Sequence, residues 1–215
     1  MKFVMSFSCG KDSVYALGKM LKEGHTPVAM IVACNKYSQR SFFHGADEAM
    51  LDAYSEALVI PCIKTYADGE DYSEKFEDGL RRAKELGAEF ACFGDINLPS
   101  SKKWNEARAK AAGLEPICPL WKKDTAQHVK DVLDEGYKCM IKVVDLDLLP
   151  DTILGKYLDE DIVKMLEEDD LDVCGENGEY HTLVVDGPIF RHPLDIKTGN
   201  IAQSGHCAYI ETLAE

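Results

Sequence analysis

The sequence predicts an α/β fold: a Rossmann-like parallel sheet followed by a smaller C-terminal α+β region. Three observations carry this expectation. Short apolar runs alternate with segments of helical periodicity from Lys2 to Cys118. Glycines stand where helical segments stop, at Gly87, Gly113 and Gly136. The first apolar run also leads directly into a loop of small residues, SFSCGKDS (Ser6–Ser13), which opens a helix. The resulting alternation, βαβαβαβαβ, implies right-handed crossovers with helices on both faces of the sheet.

Taken in order, Lys2–Met5 is the lead strand. Val14–Leu21 is helical, with Ala16, Leu17, Met20 and Leu21 on one stripe. Pro27–Cys34 reads as a strand buried on both faces. Residues 46–58 are helical, with Ala46, Met50, Ala53, Tyr54 and Ala57 aligned, and a short strand follows at Cys62–Thr65. Asp71–Leu86 turns Phe76, Leu80 and Ala83 inward. Glu89–Phe93 is the next strand, breaking into Gly94-Asp95-Ile96; then come a helix at Trp104–Ala112 and a strand at Glu115–Cys118.

From about Trp121 the rhythm changes. Asp124 caps a helix that runs to Glu135, and Tyr137–Val144 is a strand. A helix lies near Leu158–Glu168, and within Cys174–Phe190 a glycine-rich turn leads into a strand. Two short strands close the chain, around Leu194–Lys197 and Ala208–Thr212, with Thr198-Gly199-Asn200 as their turn. The division expected is 1–120 and 121–215, as two closely packed lobes.

A chain of 215 residues with 46% hydrophobic and 29% charged residues has the makeup of a water-soluble globular protein. No apolar run has the length of a membrane span and the start lacks a signal-peptide layout, so the expected location is cytoplasmic, with no membrane partner. The net charge of −14 argues against a broad nucleic-acid surface, which needs clustered Lys and Arg. Eight cysteines form no CxxC pair, which argues against a disulfide framework or a zinc site.

The Ser6–Ser13 loop has the chemistry of an anion cradle. Unpaired N–H groups in the first helical turn and the helix dipole favour negative charge. Gly10 permits close backbone approach, Ser8 and Ser13 offer hydroxyls, and Lys11 adds positive charge. It is not a Walker A loop, because Asp12 follows Lys11 where that motif needs Ser or Thr. It resembles SGGKDS, the PP-loop of the N-type ATP pyrophosphatases, with Cys9 in place of the middle glycine. A turn accepts that replacement if position 9 keeps a negative φ.

A second chemical stretch, GENGEYHT, places Glu176, Asn177, Glu179, His181 and Thr182 within eight residues, with glycines at 175 and 178 to bend the loop. On a strand, Glu179 and His181 would share a face, where a carboxylate beside an imidazole can take a proton. The two stretches together resemble the diphthine–ammonia ligase family of PP-loop ATPases. The resemblance extends through Phe43-His44, Gly94-Asp95-Ile96, Lys102-Lys103-Trp104, Pro119-Leu120-Trp121, Leu154-Gly155 and Asp186-Gly187-Pro188.

That resemblance implies an ATP-dependent amide ligase. A carboxylate acceptor is adenylated with release of pyrophosphate, and ammonia then displaces AMP. It implies that Ser6, Ser8, Cys9, Gly10, Lys11, Asp12 and Ser13, with Gly94 and Asp95, hold ATP, and that Asp12 lies near Mg²⁺. Lys11 and Asp12 would serve catalysis from the nucleotide side; Glu176, Glu179 and His181 would serve it from the acceptor or ammonia side. His44 reads either as a helix-start residue or as a nucleotide contact. Trp104 and Trp121 read as core packing, and Lys102 or Lys103 as a phosphate contact or a solvated helix start. A homodimer is left open.

Members that make diphthamide in archaea and eukaryotes read GEGGEYET or GEGGEFET, whereas Asn177 and His181 here resemble a bacterial GENGE(Y/F)HT branch. For that branch the implied acceptor is a cobalamin precursor. Two other functions compete. A PP-loop sulfur transferase acting on tRNA calls for a basic surface and paired cysteines; a nucleotide sensor calls for no acceptor site.

Overall fold

The computed structural model describes residues 1–42 and 44–214. The first half alternates β1 (Lys2–Ser6), α1 (Lys11–Lys22), β2 (Thr26–Asn35), α2 (Glu48–Leu58), β3 (Cys62–Ala67), α3 (Tyr72–Glu85), β4 (Phe90–Cys92), α4 (Pro99–Ala111) and β5 (Glu115–Ile117). The five strands are parallel, in the order β3-β2-β1-β4-β5. The strand order reverses direction between β1 and β4. Loops leaving the carboxyl ends of those two strands therefore diverge and open a crevice, where open α/β sheets bind their ligands.

Alternation along β1 fixes the layers. Phe3 and Met5 point to α1, α2 and the second half of the chain, while Val4 points with Ala29, Ile31 and Ile63 to α3 and α4. Helix starts follow local chemistry. Asp47 accepts the N–H of Met50 at the start of α2, and Pro99 sits in the first turn of α4. α4 begins five residues before the expected Trp104, because Pro99, Ser100 and Ser101 form its first turn rather than a loop.

The second half contains α5 (Thr125–Asp134), β6 (Lys138–Asp145), a short 3₁₀ turn (Asp151–Ile153), α6 (Glu160–Glu168), β7 (Tyr180–Asp186), β8 (Ile196–Ser204) and β9 (Cys207–Ala214). Its strands form an antiparallel sheet in the order β7-β6-β9-β8. The tail differs from expectation. Thr198-Gly199-Asn200 lies inside β8, where the register shifts, and the hairpin turns at Gly205-His206. Pairing with β9 on both sides of the irregularity makes that stretch a bulge, not a turn.

One apolar core joins the halves: Leu17 and Met20 of α1 and Tyr54 of α2 belong to it together with Cys139, Ile141, Leu183 and Val184. Tyr137 inserts its ring where Gly18 and Gly187 leave room; a Cβ on Gly18 would lie 2.1 Å from its hydroxyl. Among the described residues, no helix is long and apolar enough to cross a membrane.

Candidate active site

The crevice at the β1/β4 switch point is a cavity of about 840 Å³. Ser6, Ser8, Asp12 and Ser13 line it from the loop after β1, Gly94 and Asp95 from the loop after β4, and Glu176 from the second half. Aromatic rings form the opposite wall. Tyr72 lies 5.1 Å from Phe42 and 5.7 Å from Trp104, and Phe76 lies 5.5 Å from Trp104. The polar groups thus converge at one end of a largely apolar pocket, the usual arrangement for a small-molecule site.

Within the first loop, the Ser13 hydroxyl accepts from the Ser8 N–H (3.2 Å) and donates to the Gly10 carbonyl (3.0 Å). Cys9 adopts φ +71°, so the expectation of a negative φ fails. The left-handed conformation persists because its carbonyl is anchored by the N–H of Val184 (2.9 Å), a residue whose own carbonyl takes the Tyr54 hydroxyl (2.6 Å). Gly94 is required by contact: a Cβ there would lie 3.0 Å from the Ser13 nitrogen.

The buried Lys11 and the half-buried Asp12 form an ion pair, with Nζ 3.0 Å from Oδ2. Nζ also donates to the Cys174 carbonyl at 2.5 Å and lies over the Tyr180 ring. Burial works against the Lys11 charge, yet the neighbouring Asp12 carboxylate outweighs it and holds the ammonium's pKa well above its ordinary value. Burial likewise works against the Asp12 charge, but Lys11 and then His128 hold its carboxyl well below the usual range.

The acidic loop separates its two glutamates. Glu176 faces the cavity, and burial, followed by the Asp12 charge, pushes its carboxyl up to about 7. Glu179 precedes β7, is 2% exposed, and turns back into its own loop. It accepts from the Asp172 N–H (3.2 Å), the Asn177 N–H (3.0 Å) and the Asn177 amide (3.0 Å). The free edge of β7 then docks on the phosphate-type loop: the Lys11 N–H donates to the Thr182 hydroxyl at 3.0 Å. His44 donates from Nδ1 to the Thr182 carbonyl (2.8 Å), and its ring stands 5.2 Å from that of His181. Burial and then His181 push His44 down to about 3; burial and then Lys11 lower His181.

The sequence comparisons agree with this geometry at both loops. The family model described as diphthamide synthase N-terminal domain matches residues 1–116, and that of the diphthamide synthase C-terminal domain matches residues 124–212. The chain belongs to the diphthamide synthase family. Among its relatives, the diphthine–ammonia ligase of Homo sapiens is 25% identical, over 94% of this chain and 85% of the human protein. That of Mus musculus is 27% identical, over 89% and 81%. That of Schizosaccharomyces pombe is 28% identical over 100% of this chain but 39% of its own length. This is a family of ATP-dependent ligases.

Of the residues expected at the site of this diphthamide synthase family member, Ser6, Ser8, Asp12, Ser13, Gly94, Asp95 and Glu176 line the cavity. Five do not. Cys9 is buried in the core, and Gly10 is covered by the His44 ring, so both belong to the loop's scaffold. Lys11 is drawn away by the Cys174 carbonyl, Glu179 closes its own loop, and His181 packs on His44. Glu179 and His181 therefore do not act on one face, because Glu179 lies outside the strand. Of the Phe43-His44 pair, Phe43 lies outside the described residues. Trp104 is half-buried, packs against the core around Phe76 and Leu80 as expected, and also lines the cavity. Lys102 pairs with Glu106 and lies over the Trp121 ring.

His128 was not singled out by the sequence. It is fully buried on α5 and hydrogen-bonded to Asp12 at 2.9 Å. Its place beside Val129 and Val132 makes it look like a core position, and the only signal was a polar side chain on that apolar face. Asp12, His128 and the Cys174 thiol lie close enough to hold a soft metal ion. The Lys11 ammonium already supplies the positive charge at that carboxylate. Magnesium prefers oxygen ligands, and Asp12, Asp95 and Glu176 offer carboxylates to the cavity. These hard oxygen donors suit Mg²⁺ held jointly with nucleotide phosphates and not a three-carboxylate cage, because among the described residues their oxygens do not gather into one cluster.

Proposed function

We propose that the chain joins an acceptor carboxylate to ammonia at the expense of ATP, with diphthine or a closely similar carboxylate as acceptor. One observation carries the reading: the acidic loop delivers Glu176 into the cavity that the Ser8, Asp12 and Ser13 side of the first loop also lines. Nucleotide-side and acceptor-side groups thus share one enclosure.

In the first step an acceptor carboxylate oxygen attacks the α-phosphorus, and the bond to the pyrophosphate oxygen breaks. Hydroxyls of Ser8 and Ser13 and the start of α1 orient the phosphates. Asp12 and Asp95 would hold magnesium together with the phosphates, and the ion would supply charge neutralisation on the phosphate oxygens. No lysine or arginine lines the cavity among the described residues, in keeping with a nucleotide that enters as its metal complex. Lys11 ties the acidic loop to the phosphate loop instead of reaching into the cavity.

In the second step ammonium gives one proton to Glu176 and the ammonia nitrogen attacks the acyl carbon. AMP leaves with the pair of electrons from the broken acyl–oxygen bond, and the second proton lost from the nitrogen passes to the departing phosphate or to solvent. A carboxyl poised at about 7 is suited to that transfer at neutral pH. Glu179 and His181 serve as scaffold in this scheme. Asn177 and His181, the two departures from the diphthamide pattern, do not line the cavity. This supports a shared chemistry over a branch-specific cobalamin acceptor. No cysteine lines the cavity among the described residues, which weighs against sulfur transfer.

The test is mass spectrometry of candidate acceptors after incubation with ATP, Mg²⁺ and ¹⁵N-ammonium. A diphthine-bearing protein and a cobalamin precursor serve as the two arms. A labelled amide on the diphthine arm is expected. A label confined to the cobalamin precursor would replace the acceptor, and no label on any carboxylate would end the ligase reading.

A further inference from the structure

We propose that His128 is the positioning residue for Asp12, a role that rests on the reading of the cavity as a site for the magnesium complex of ATP. The fold brings His128 there from far along the chain. It sits on α5, 116 positions from Asp12, and has 0% exposure. A polar ring buried on an apolar helix face is costly unless it is matched. Its match is Asp12: Nε2 lies 2.9 Å from Oδ1.

The proton can be placed. Asp12 takes the Lys11 ammonium's hydrogen bond on Oδ2 at 3.0 Å, so its carboxylate is the acceptor of the pair with His128. Nε2 therefore carries the hydrogen. Nδ1 is buried and has no partner among the described residues. The Tyr15 ring packs edge-on at 5.1 Å and fixes the imidazole plane.

His128 thus supplies direction. With Oδ2 on Lys11 at 3.0 Å, and Oδ1 on His128 at 2.9 Å and more weakly on the Cys174 thiol at 3.7 Å, the Asp12 carboxylate is held against rotation where it lines the cavity. The nucleotide site is completed from the second half of the chain. Free to rotate, Asp12 would present its lone pairs only part of the time, which weakens metal-dependent binding specifically.

Calorimetric titration of the full chain with ATP, with and without Mg²⁺, tests this. His128→Leu fills the same space and removes the unmatched Nδ1, so it should melt no lower than wild type. Its affinity for the magnesium complex should fall roughly 10- to 100-fold, the usual loss for a hydrogen bond to a charged group, while metal-free ATP binds as before. His128→Gln, whose amide N–H reaches the Nε2 position, should restore most of the affinity. Should the leucine variant not fold, His128→Asn, too short to reach Asp12, takes its place against glutamine. Unchanged affinity in the leucine or asparagine variant, an equal loss with and without metal, or no restoration by glutamine would overturn the role. A wild-type chain that binds no magnesium–ATP would instead overturn the functional reading, and this role with it.

Discussion

The backbone N–H of Lys11 donates to the hydroxyl of Thr182 at 3.0 Å, across 171 positions of sequence. The first loop thereby spends one of its helix-start donors on the edge of β7, so the acidic loop before that strand keeps a fixed place over the cavity. Thr182→Val preserves shape and strand propensity but leaves a buried N–H unmatched. A loss of about 1–3 kcal/mol is expected in urea unfolding, with Thr182→Ser closer to wild type. Equal stability of the valine variant would show that water can satisfy the Lys11 N–H.

Gly10 is small because of His44. Its φ of −84° suits any residue, so backbone strain is not the reason. A Cβ would lie 2.5 Å from the His44 Cε1. Gly10→Ala should cost about 1–3 kcal/mol through overpacking. Adding His44→Ala should recover part of it, which a double-mutant cycle measures as a coupling. Simple additivity would place the cause elsewhere.

Glu176 should show opposite effects on activity and stability. Its folded pKa is raised, so the ionised form that accepts a proton grows as pH passes through about 7. Amide formation should rise over that range, and Glu176→Gln should abolish the rise. A raised carboxyl favours folding at low pH and loses that contribution as pH climbs through the folded value. Glu176→Gln should therefore raise the melting temperature at pH 8 and leave it little changed at pH 4. Thermal scans at both values check the sign.

His44 runs the other way. Burial lowers its pKa to about 3, so the neutral ring contributes stability above the ordinary histidine range. That contribution fades as pH falls from about 6.5 toward 3, where the unfolded chain takes up a proton the folded chain refuses. His181, also lowered, adds to the same window. The pH dependence of unfolding below pH 6 should be shallower in His44→Phe; an unchanged slope would assign the acid sensitivity to other groups.

Much of this architecture was legible because its determinants are local. Apolar runs, glycine stops and the Ser8–Ser13 cluster mark β1, α1 and the crevice without reference to anything distant. Glu176 was legible for the same reason. What escaped depends on tertiary partners. Cys9 takes a left-handed conformation because the Val184 N–H, on a strand fixed by Tyr54, holds its carbonyl. Glu179 turns inward because three donors of its own loop face it. His128 is indistinguishable from a core position until Asp12 is seen opposite it. Thr198-Gly199-Asn200 has turn composition, yet its pairing with β9 is decided by the strand on the other side.

The central claim is that the two loops enclose one site where ATP is cut between its α and β phosphates. Phosphorus NMR of ATP turnover by the wild-type chain, with Mg²⁺, ammonium and the acceptor that becomes labelled, addresses it directly. AMP and pyrophosphate appearing in equal amounts, and absent with Asp12→Ala, is the predicted result. ADP and inorganic phosphate, or turnover undiminished in the Asp12 variant, would contradict it.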